Sequence, residues 1–260
     1  MKNIFRSIFL LVIFTIVSLN SNASEQSKKL LNPGWSFKGF FGKFDRSSLQ
    51  RGYQVYTEVC AACHSMKYLS YRNLAQQGGP EFSEDQAKII ASQFEVIDGP
   101  NSEGDMFTRP ARLSDNFVEP YANEEAAKFA NGGAYPPDMS VLAKARKGGA
   151  SYIYSILLGY DDPPPDVSLE DGVYYNTYMS GNKIIMSKPL SENLVQYSDG
   201  TQASEEQMAK DVSTFLAWAA EPNLEQRHKM GFKAVLYLII ITILVYFSMK
   251  KIWSRIETDV

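Results

Sequence analysis

The segment Cys60-Ala61-Ala62-Cys63-His64 constrains this chain more than any other feature of its 260 residues. It holds both cysteines of the sequence, and a histidine follows the second one directly. This Cys-x-x-Cys-His spacing is the attachment signature of c-type haem. The two thiols add across the porphyrin vinyl groups as thioethers, and the adjacent imidazole is then placed beneath the iron. The motif therefore predicts one covalently bound haem c, held by Cys60 and Cys63 with His64 on the iron.

Three other uses of a Cys-x-x-Cys pair fit this sequence less well. A thioredoxin-like redox pair is expected after a strand of a βαβ unit, and the residues before Cys60 do not have a strand pattern. A structural zinc site needs four ligands, whereas the only other histidine, His228, is far along the chain. A disulfide across two intervening residues would be strained and would close almost no loop. Haem attachment remains the favoured interpretation.

The first 23 residues have the pattern of a secretory signal peptide. Lys2 and Arg6 give a basic start, residues 8–19 form an apolar run, and Ser21-Asn22-Ala23 is a small-residue cleavage site. We predict cleavage after Ala23, with an uncleaved N-terminal anchor as the alternative. Either way the body of the chain is exported, which suits haem c because the thioethers form on the outer side of the bacterial inner membrane.

A second apolar run, residues 234–249, is free of charge. It is slightly short of the ~20 residues that cross a bilayer, but the residues before it can extend it. Export of the body places the basic residues that follow it in the cytoplasm, which agrees with the positive-inside rule, although basic residues also precede the run. We therefore predict a transmembrane anchor at residues 227–249 and a cytoplasmic tail at 250–260, with a buried core helix as the alternative. The chain would cross the bacterial inner membrane once, with its haem domain on the periplasmic side.

Residues 24–226 are enough for one domain with a hydrophobic core. Cap residues followed by apolar periodicity predict mainly helix and loop, and no alternating strand run of useful length is present. The predicted helices cover residues 45–59, 83–94, 123–131, 141–147, 151–158 and 204–220, with Pro136-Pro137-Asp138 capping the fourth. Gly52 would permit close backbone approach where the first and last of these helices cross, and Phe215 and Trp218 are expected in the core there.

The charge of this predicted domain is strongly negative. Residues 24–226 carry 18 basic and 27 acidic side chains, a net charge of −9. Such a field favours a cationic soluble partner and would steer its approach, although an ordinary acidic exported domain has the same composition. We expect no nucleic-acid partner.

The residue opposite His64 on the iron is open on sequence grounds. His228 abuts the predicted anchor, so it would need the haem at the bilayer surface. A thioether is the next candidate, and a His/Met pair raises the reduction potential. Five methionines qualify by position: Met106, Met139, Met179, Met186 and Met208. Among them Met186 lies in an irregular apolar stretch whose isoleucines could line a haem pocket.

Seven segments carry a resemblance that extends over nearly the whole mature chain. In order they are RGYQVYTEVCAACHSMKYLSYRNL, GDMFTRPARLSDNF, NGGAYPPDMS, LAKARKGGASYIYSILLGY, KIIMSKPL, AKDVSTFLAWAAEP and RHKMG. The sequence thereby resembles the cytochrome c1 family, in an alphaproteobacterial or mitochondrial-like form. Cytochrome c1 is the membrane-anchored haem subunit of the cytochrome bc1 complex, the quinol–cytochrome c reductase.

The resemblance implies a mainly α cytochrome c-type haem domain with an enlarged, loop-rich middle, plus one C-terminal transmembrane helix. It implies that His64 and Met186 are the axial ligands and that Arg146 and Tyr152 bind the haem propionates. Residues 131–138 would pack against the haem edge. The second cysteine pair that the family often has in its middle region is absent here, where Asp161-Asp162-Pro163 stands.

The resemblance also implies an electron-transfer role rather than catalysis by this chain alone. The haem would accept an electron from the Rieske iron–sulfur protein, in a complex with cytochrome b, and pass it to cytochrome c. The alternative is a membrane-anchored c-type haem enzyme or gas sensor with an open sixth position on the iron. An anchored cytochrome belonging to a different oxidase is a third possibility.

Overall fold

Helices dominate residues 28–256, the part of the chain that the computed structural model describes. They are α1 (Arg46–Val55), α2 (Glu84–Ser92), α3 (Glu124–Ala130), α4 (Leu142–Ala145), α5 (Ala150–Leu158), α6 (Glu205–Ala220) and α7 (Leu224–Ile256). A π-helical turn, Tyr56–Cys60, continues α1. Two short 3₁₀ turns follow later, at Tyr71–Ala75 and Ser180–Asn182. The predicted mainly α fold is confirmed. The predicted signal peptide, residues 1–23, lies outside the described residues, as does the end of the predicted tail.

Two small antiparallel sheets lie in the loop-rich middle. They pair β1 (Glu95–Asp98) with β2 (Phe107–Pro110) and β3 (Tyr174–Tyr175) with β4 (Lys183–Ile184). The expectation of no useful strand was wrong for β1 and β2, which pair over four residues. Only alternate residues of β1 are even half-buried, so the apolar alternation that marks a strand in sequence is weak there.

Four helices begin where their cap residues predict. The side chains of Asp45, Ser83, Asn123 and Ser204 each accept a hydrogen bond from the backbone N–H three residues later. Such bonds satisfy amide groups that a helix leaves without a partner at its start. These boundaries were therefore predictable from local sequence alone.

The predicted cap at Pro136-Pro137-Asp138 is wrong. The helix that follows, α4, covers only Leu142–Ala145, and Val141 precedes it without a side-chain cap. The Asp138 carboxylate instead accepts hydrogen bonds from the backbone N–H groups of Ser140 and Lys67. A residue engaged in this way across the fold is not available to begin a helix.

Helices α1 and α6 cross at Gly52, as predicted. A Cβ atom at this position would lie 2.1 Å from the Asp211 carbonyl oxygen and 2.7 Å from Phe215 Cβ, so only glycine permits the crossing. Phe215 and Trp218 on α6 are fully buried, as the sequence indicated. The fully buried Asp211 carboxylate also accepts a hydrogen bond from Arg51 Nε of α1 at 2.8 Å. Close packing and an ion pair therefore fix the helix that leads into the Cys-x-x-Cys-His motif.

The last helix, α7, is 33 residues long and is the one described helix that is long and apolar enough to cross a membrane. It begins three residues before the predicted anchor, 227–249, and continues beyond it. Its first turn belongs to the globular part, because Glu225 accepts hydrogen bonds from Arg46 Nη1 and Nη2 at 2.8 and 2.9 Å. The same carboxylate accepts a bond from the Phe44 N–H at 3.0 Å.

Candidate haem site

The Cys-x-x-Cys-His motif forms one tight turn at the end of α1. The π-helical turn Tyr56–Cys60 ends the helix, and the Ala61 N–H donates to the Tyr56 carbonyl at 2.8 Å. The N–H groups of Cys63 and His64 then both donate to the Cys60 carbonyl, at 3.1 and 2.9 Å. The two thiols are therefore presented within one turn, which is the spacing that attachment to two vinyl groups of one porphyrin requires.

Both cysteines are half-buried free thiols. Burial and, to a smaller degree, the neighbouring Cys63 raise the pKa of the Cys60 thiol to about 12. A thioredoxin-like pair needs the opposite shift, because the thiolate is the attacking species. The motif is therefore poorly suited to disulfide exchange.

His64 is buried, with 9% of its surface exposed, and its orientation is set by one hydrogen bond. Its Nδ1–H donates to the Pro137 carbonyl at 2.9 Å, so Nε2 carries the lone pair. Burial lowers the pKa of His64, although the Pro137 bond and the nearby Asp138 charge act in the opposite direction. A neutral imidazole with one nitrogen held by a carbonyl is the usual form of a histidine that ligates a metal.

The segment that holds His64 is itself tied to the motif through Asp138. Its carboxylate accepts hydrogen bonds from Ser65 Oγ at 2.9 Å, from the Lys67 N–H at 3.0 Å and from the Ser140 N–H at 2.9 Å. Burial alone would raise the pKa of Asp138, but these bonds outweigh it and leave that pKa below its ordinary value. Asp138 therefore fixes the backbone that carries the Pro137 carbonyl.

Met186 lies half-buried just after β4. Tyr160 follows α5, and its hydroxyl donates a hydrogen bond to the Met186 carbonyl at 2.9 Å. Burial raises the pKa of Tyr160, so this phenol remains a donor. The loop is also joined to α5 by Asn176, whose Nδ2 donates to the Ile156 carbonyl at 2.8 Å. The end of α5 therefore positions Met186.

The two residues expected to bind propionates lie on either side of the start of α5. Arg146 is exposed at the end of α4, and among residues 28–256 its guanidinium donates only to the neighbouring Ala145 carbonyl, at 3.3 Å. Tyr152 is half-buried in the first turn of α5, and its hydroxyl donates to Met179 Sδ at 3.6 Å. Among the described residues no hydrogen bond joins Arg146 to Tyr152 or either of them to the motif.

The other candidate methionines have different surroundings. Met139 and Met208 belong to the hydrophobic core, and Met106 is 60% exposed. Met179 and Met186 are half-buried, and Met179 accepts the Tyr152 hydrogen bond. Met179 and Met186 thus differ from the other three candidates in being half-buried, and both follow α5.

Three positioning groups were missed from the sequence: the Pro137 carbonyl, Asp138 and Tyr160. The pattern Asp138-x-Ser140 is a signal for Asp138, because an aspartate commonly accepts a bond from the backbone two residues on. Nothing local marks Tyr160, whose contact with Met186 spans 26 residues. A backbone carbonyl such as that of Pro137 leaves no sign in a sequence.

The Cytochrome C1 family model matches residues 35–256. The chain belongs to the cytochrome c1 family. It is 43% identical over 253 residues to a cytochrome c1 of Rhodospirillum rubrum, covering 91% of this chain and 92% of that protein. It is 46% identical over 239 residues to "Cytochrome c1 2, heme protein, mitochondrial" of Arabidopsis thaliana, covering 92% and 77%. A "Cytochrome b-c1 complex catalytic subunit, mitochondrial" of Candida albicans is 44% identical over 244 residues, covering 92% and 84%.

Membership of the cytochrome c1 family identifies the cofactor as covalently bound haem c, as the motif predicts. The groups on the turn fit that cofactor. Cys60 and Cys63 are free thiols one turn apart, and His64 offers a neutral nitrogen from a buried ring. Met179 and Met186 are half-buried thioethers in the residues that follow α5.

Proposed function

We propose that this chain is the electron-transfer subunit of a cytochrome bc1 complex, with its haem c held at the Cys60–His64 turn. Family membership supports the role in the complex. The observation that carries the assignment of the site is the buried His64 ring, whose Nδ1 is bound to Pro137 and whose Nε2 is left for iron. The apolar helix α7 is long enough to be the membrane anchor of such a subunit.

Cys60 and Cys63 form the covalent attachment. Their thiols would hold the porphyrin by addition across its two vinyl groups, with sulfur on one carbon and hydrogen on the other, which needs no oxidant. The tight turn presents the two thiols within one turn of backbone. When bound, the haem supplies reversible one-electron exchange at its iron.

His64 and Met186 would hold the haem iron as its two protein ligands. The Pro137 carbonyl fixes the tautomer and ring orientation of His64, and Asp138 holds that carbonyl in place. Tyr160 holds the backbone of Met186. A thioether opposite an imidazole favours ferrous over ferric iron and so raises the reduction potential. Two occupied positions suit outer-sphere transfer and leave no place for oxygen, peroxide or nitrite.

Arg146 and Tyr152 bind the haem propionates. Arg146 is exposed and has no carboxylate partner among the described residues, so its guanidinium is available to a carboxylate in bidentate fashion. Tyr152 contributes a hydroxyl whose contact in this structure, a sulfur atom, is a weak acceptor. Either side chain can turn to a propionate without breaking a strong hydrogen bond.

The electron enters from the Rieske iron–sulfur protein and leaves to cytochrome c, with cytochrome b as the membrane partner in the complex. The net charge of −9 over residues 24–226 supports a cationic acceptor, because opposite charge raises the rate of encounter. The haem domain faces the periplasm and the C-terminus the cytoplasm. Export of the haem domain supports this orientation, and the basic residues Lys250, Lys251 and Arg255 agree with it.

The test is purification of the complex from membranes through a tag on this chain. We expect a pyridine haemochrome spectrum of c type, pigment that resists acid–acetone extraction, and reduction of the haem by quinol followed by oxidation by added cytochrome c. Carbon monoxide should not bind the native reduced protein. Rapid carbon monoxide binding would favour a haem enzyme or gas sensor, and absence of a quinol-oxidising cytochrome b would favour a different oxidase.

A further inference from the structure

An apolar pocket of about 210 Å³ lies where α7 leaves the globular part of the chain. Its walls come from residues 41–43 of a loop and from residues 225–233 of α7. The rings of Phe41 and Phe232 lie 6.1 Å apart between their centroids and give it an apolar surface. None of the residues that line this pocket belongs to the haem site.

The position of the pocket along α7 places it at the edge of the predicted membrane span. Lys233 directly precedes the uncharged residues 234–249. A helix rises 1.5 Å per residue, so Lys229 lies about 6 Å further from the span. The polar layer on each side of a bilayer has about this depth, since the hydrocarbon core is ~30 Å and the whole bilayer ~40–45 Å thick. The pocket therefore opens at the level of the lipid headgroups.

The loop that faces α7 is firmly held. Gly42 is buried, and a Cβ atom there would lie 2.2 Å from the Phe37 carbonyl oxygen. The His228 Nδ1–H donates to the Gly42 carbonyl at 3.3 Å. This arrangement leaves the neighbouring rings of Phe40 and Phe41 59% and 75% exposed. Two exposed aromatic rings beside a membrane helix are suited to the interfacial layer, where aromatic side chains are enriched.

Positive charge surrounds the apolar surface. Lys43, Lys229 and Lys233 line the pocket and are exposed, and none of them has a carboxylate within 4.0 Å among the described residues. The one acidic residue of the lining, Glu225, is already paired with Arg46 at 2.8 Å. The pocket thus presents three unpaired ammonium groups around aromatic walls.

We propose that this pocket binds the headgroup of an anionic phospholipid from the leaflet next to the haem domain. The phosphate lies among Lys43, Lys229 and Lys233, and the first acyl carbons lie on Phe41 and Phe232. Lysine side chains at a membrane surface attract anionic lipid headgroups. Lysine is depleted in the buried centre of protein–protein interfaces, so three lysines around the opening favour a lipid over a protein occupant.

The experiment uses the assembled complex in its membrane, with a photoactivatable phosphatidylglycerol probe and mapping of the labelled peptides. Label is expected in residues 38–46 and 225–235, and excess phosphatidylglycerol should compete whereas phosphatidylcholine or inorganic phosphate should not. In the variant Lys43→Gln/Lys229→Gln/Lys233→Gln, the amount of label in these peptides should fall at least about five-fold. Each lysine near an anionic surface contributes on the order of five-fold in affinity. Haem content and spectrum are read in parallel.

The matched control is Lys88→Gln/Lys147→Gln/Lys183→Gln, which removes the same charge at exposed positions that do not line the pocket. It should keep wild-type labelling. Equal labelling by a phosphatidylcholine probe, or unchanged labelling in the pocket variant, would overturn the proposal. Label that appears in the isolated chain but not in the complex would also overturn it, because a neighbouring protein would then fill the pocket. These outcomes leave haem attachment and electron transfer unaffected.

Discussion

At the scale of single residues, we expect the second protein ligand of the haem iron, besides His64, to have the largest influence on the reduction potential. We expect Met186→Lys to keep covalent haem, because both thiols remain, and to lower the reduction potential by a large part of the ~0.8 V range that axial ligands span. A redox titration followed by the visible spectrum measures the shift. Met179→Leu is the control, and it should leave the potential close to that of the wild type. The reverse pattern would make Met179 the ligand.

Asp138 offers a second test at this scale, through pH. Its pKa is lowered in the folded chain, so its contribution to stability is present above the pKa of the unfolded chain and is lost as the pH falls through the folded value. Asp138→Asn should therefore cost about 1–3 kcal/mol at pH 7. The difference from the wild type should begin to shrink below about pH 4, near the pKa of an aspartate in the unfolded chain, and should vanish below the lower pKa of the folded chain.

Thermal unfolding of the full chain in detergent, followed by circular dichroism at several pH values, measures this effect. Asp166→Asn is the control, because Asp166 lies exposed in a loop. A cost for Asp138→Asn that stays constant down to pH 3 would show that the carboxylate charge does not hold the Pro137 segment.

At the scale of the elements, the crossing of α1 and α6 depends on Gly52, which has no side chain. Gly52→Ala should destabilise the fold by about 1–3 kcal/mol, the usual cost of forcing an extra methyl group into a packed contact, because its Cβ would overlap the Asp211 carbonyl. Gly231→Ala is a matched control in α7, where a Cβ meets nothing within 4 Å. Thermal unfolding monitored through the Soret band compares the two, and equal midpoints would contradict the crossing.

Prediction of the elements from sequence succeeded where the deciding interaction is local. The cap side chains mark the starts of α1, α2, α3 and α6 because each bonds an amide only three residues away. The prediction failed at Pro136-Pro137-Asp138, because groups about 70 residues away donate hydrogen bonds to the Asp138 carboxylate. The site followed the same rule, since the motif is contiguous but the Tyr160 contact that holds Met186 is not.

At the scale of the whole molecule, the first turn of the membrane helix is also part of the haem domain. A chain that ends at Gln226 should be released as a soluble protein with its haem spectrum intact, because Leu224 and Glu225 remain. A chain that ends at Pro222 loses the bidentate contact with Arg46, and its melting temperature should fall by several degrees. Differential scanning calorimetry of the two proteins measures the difference. Loss of haem from the longer one would place the domain boundary elsewhere.

The clamp formed by the bidentate ion pair of Glu225 and Arg46 has a consequence for electron transfer. Only residues 221–223 separate the buried helix α6 from α7, and the clamp removes the freedom that so short a connection would leave. In the proposed complex, we therefore expect the haem to keep a nearly constant distance from the membrane surface. Its electron donor and acceptor would then have to approach the haem domain themselves.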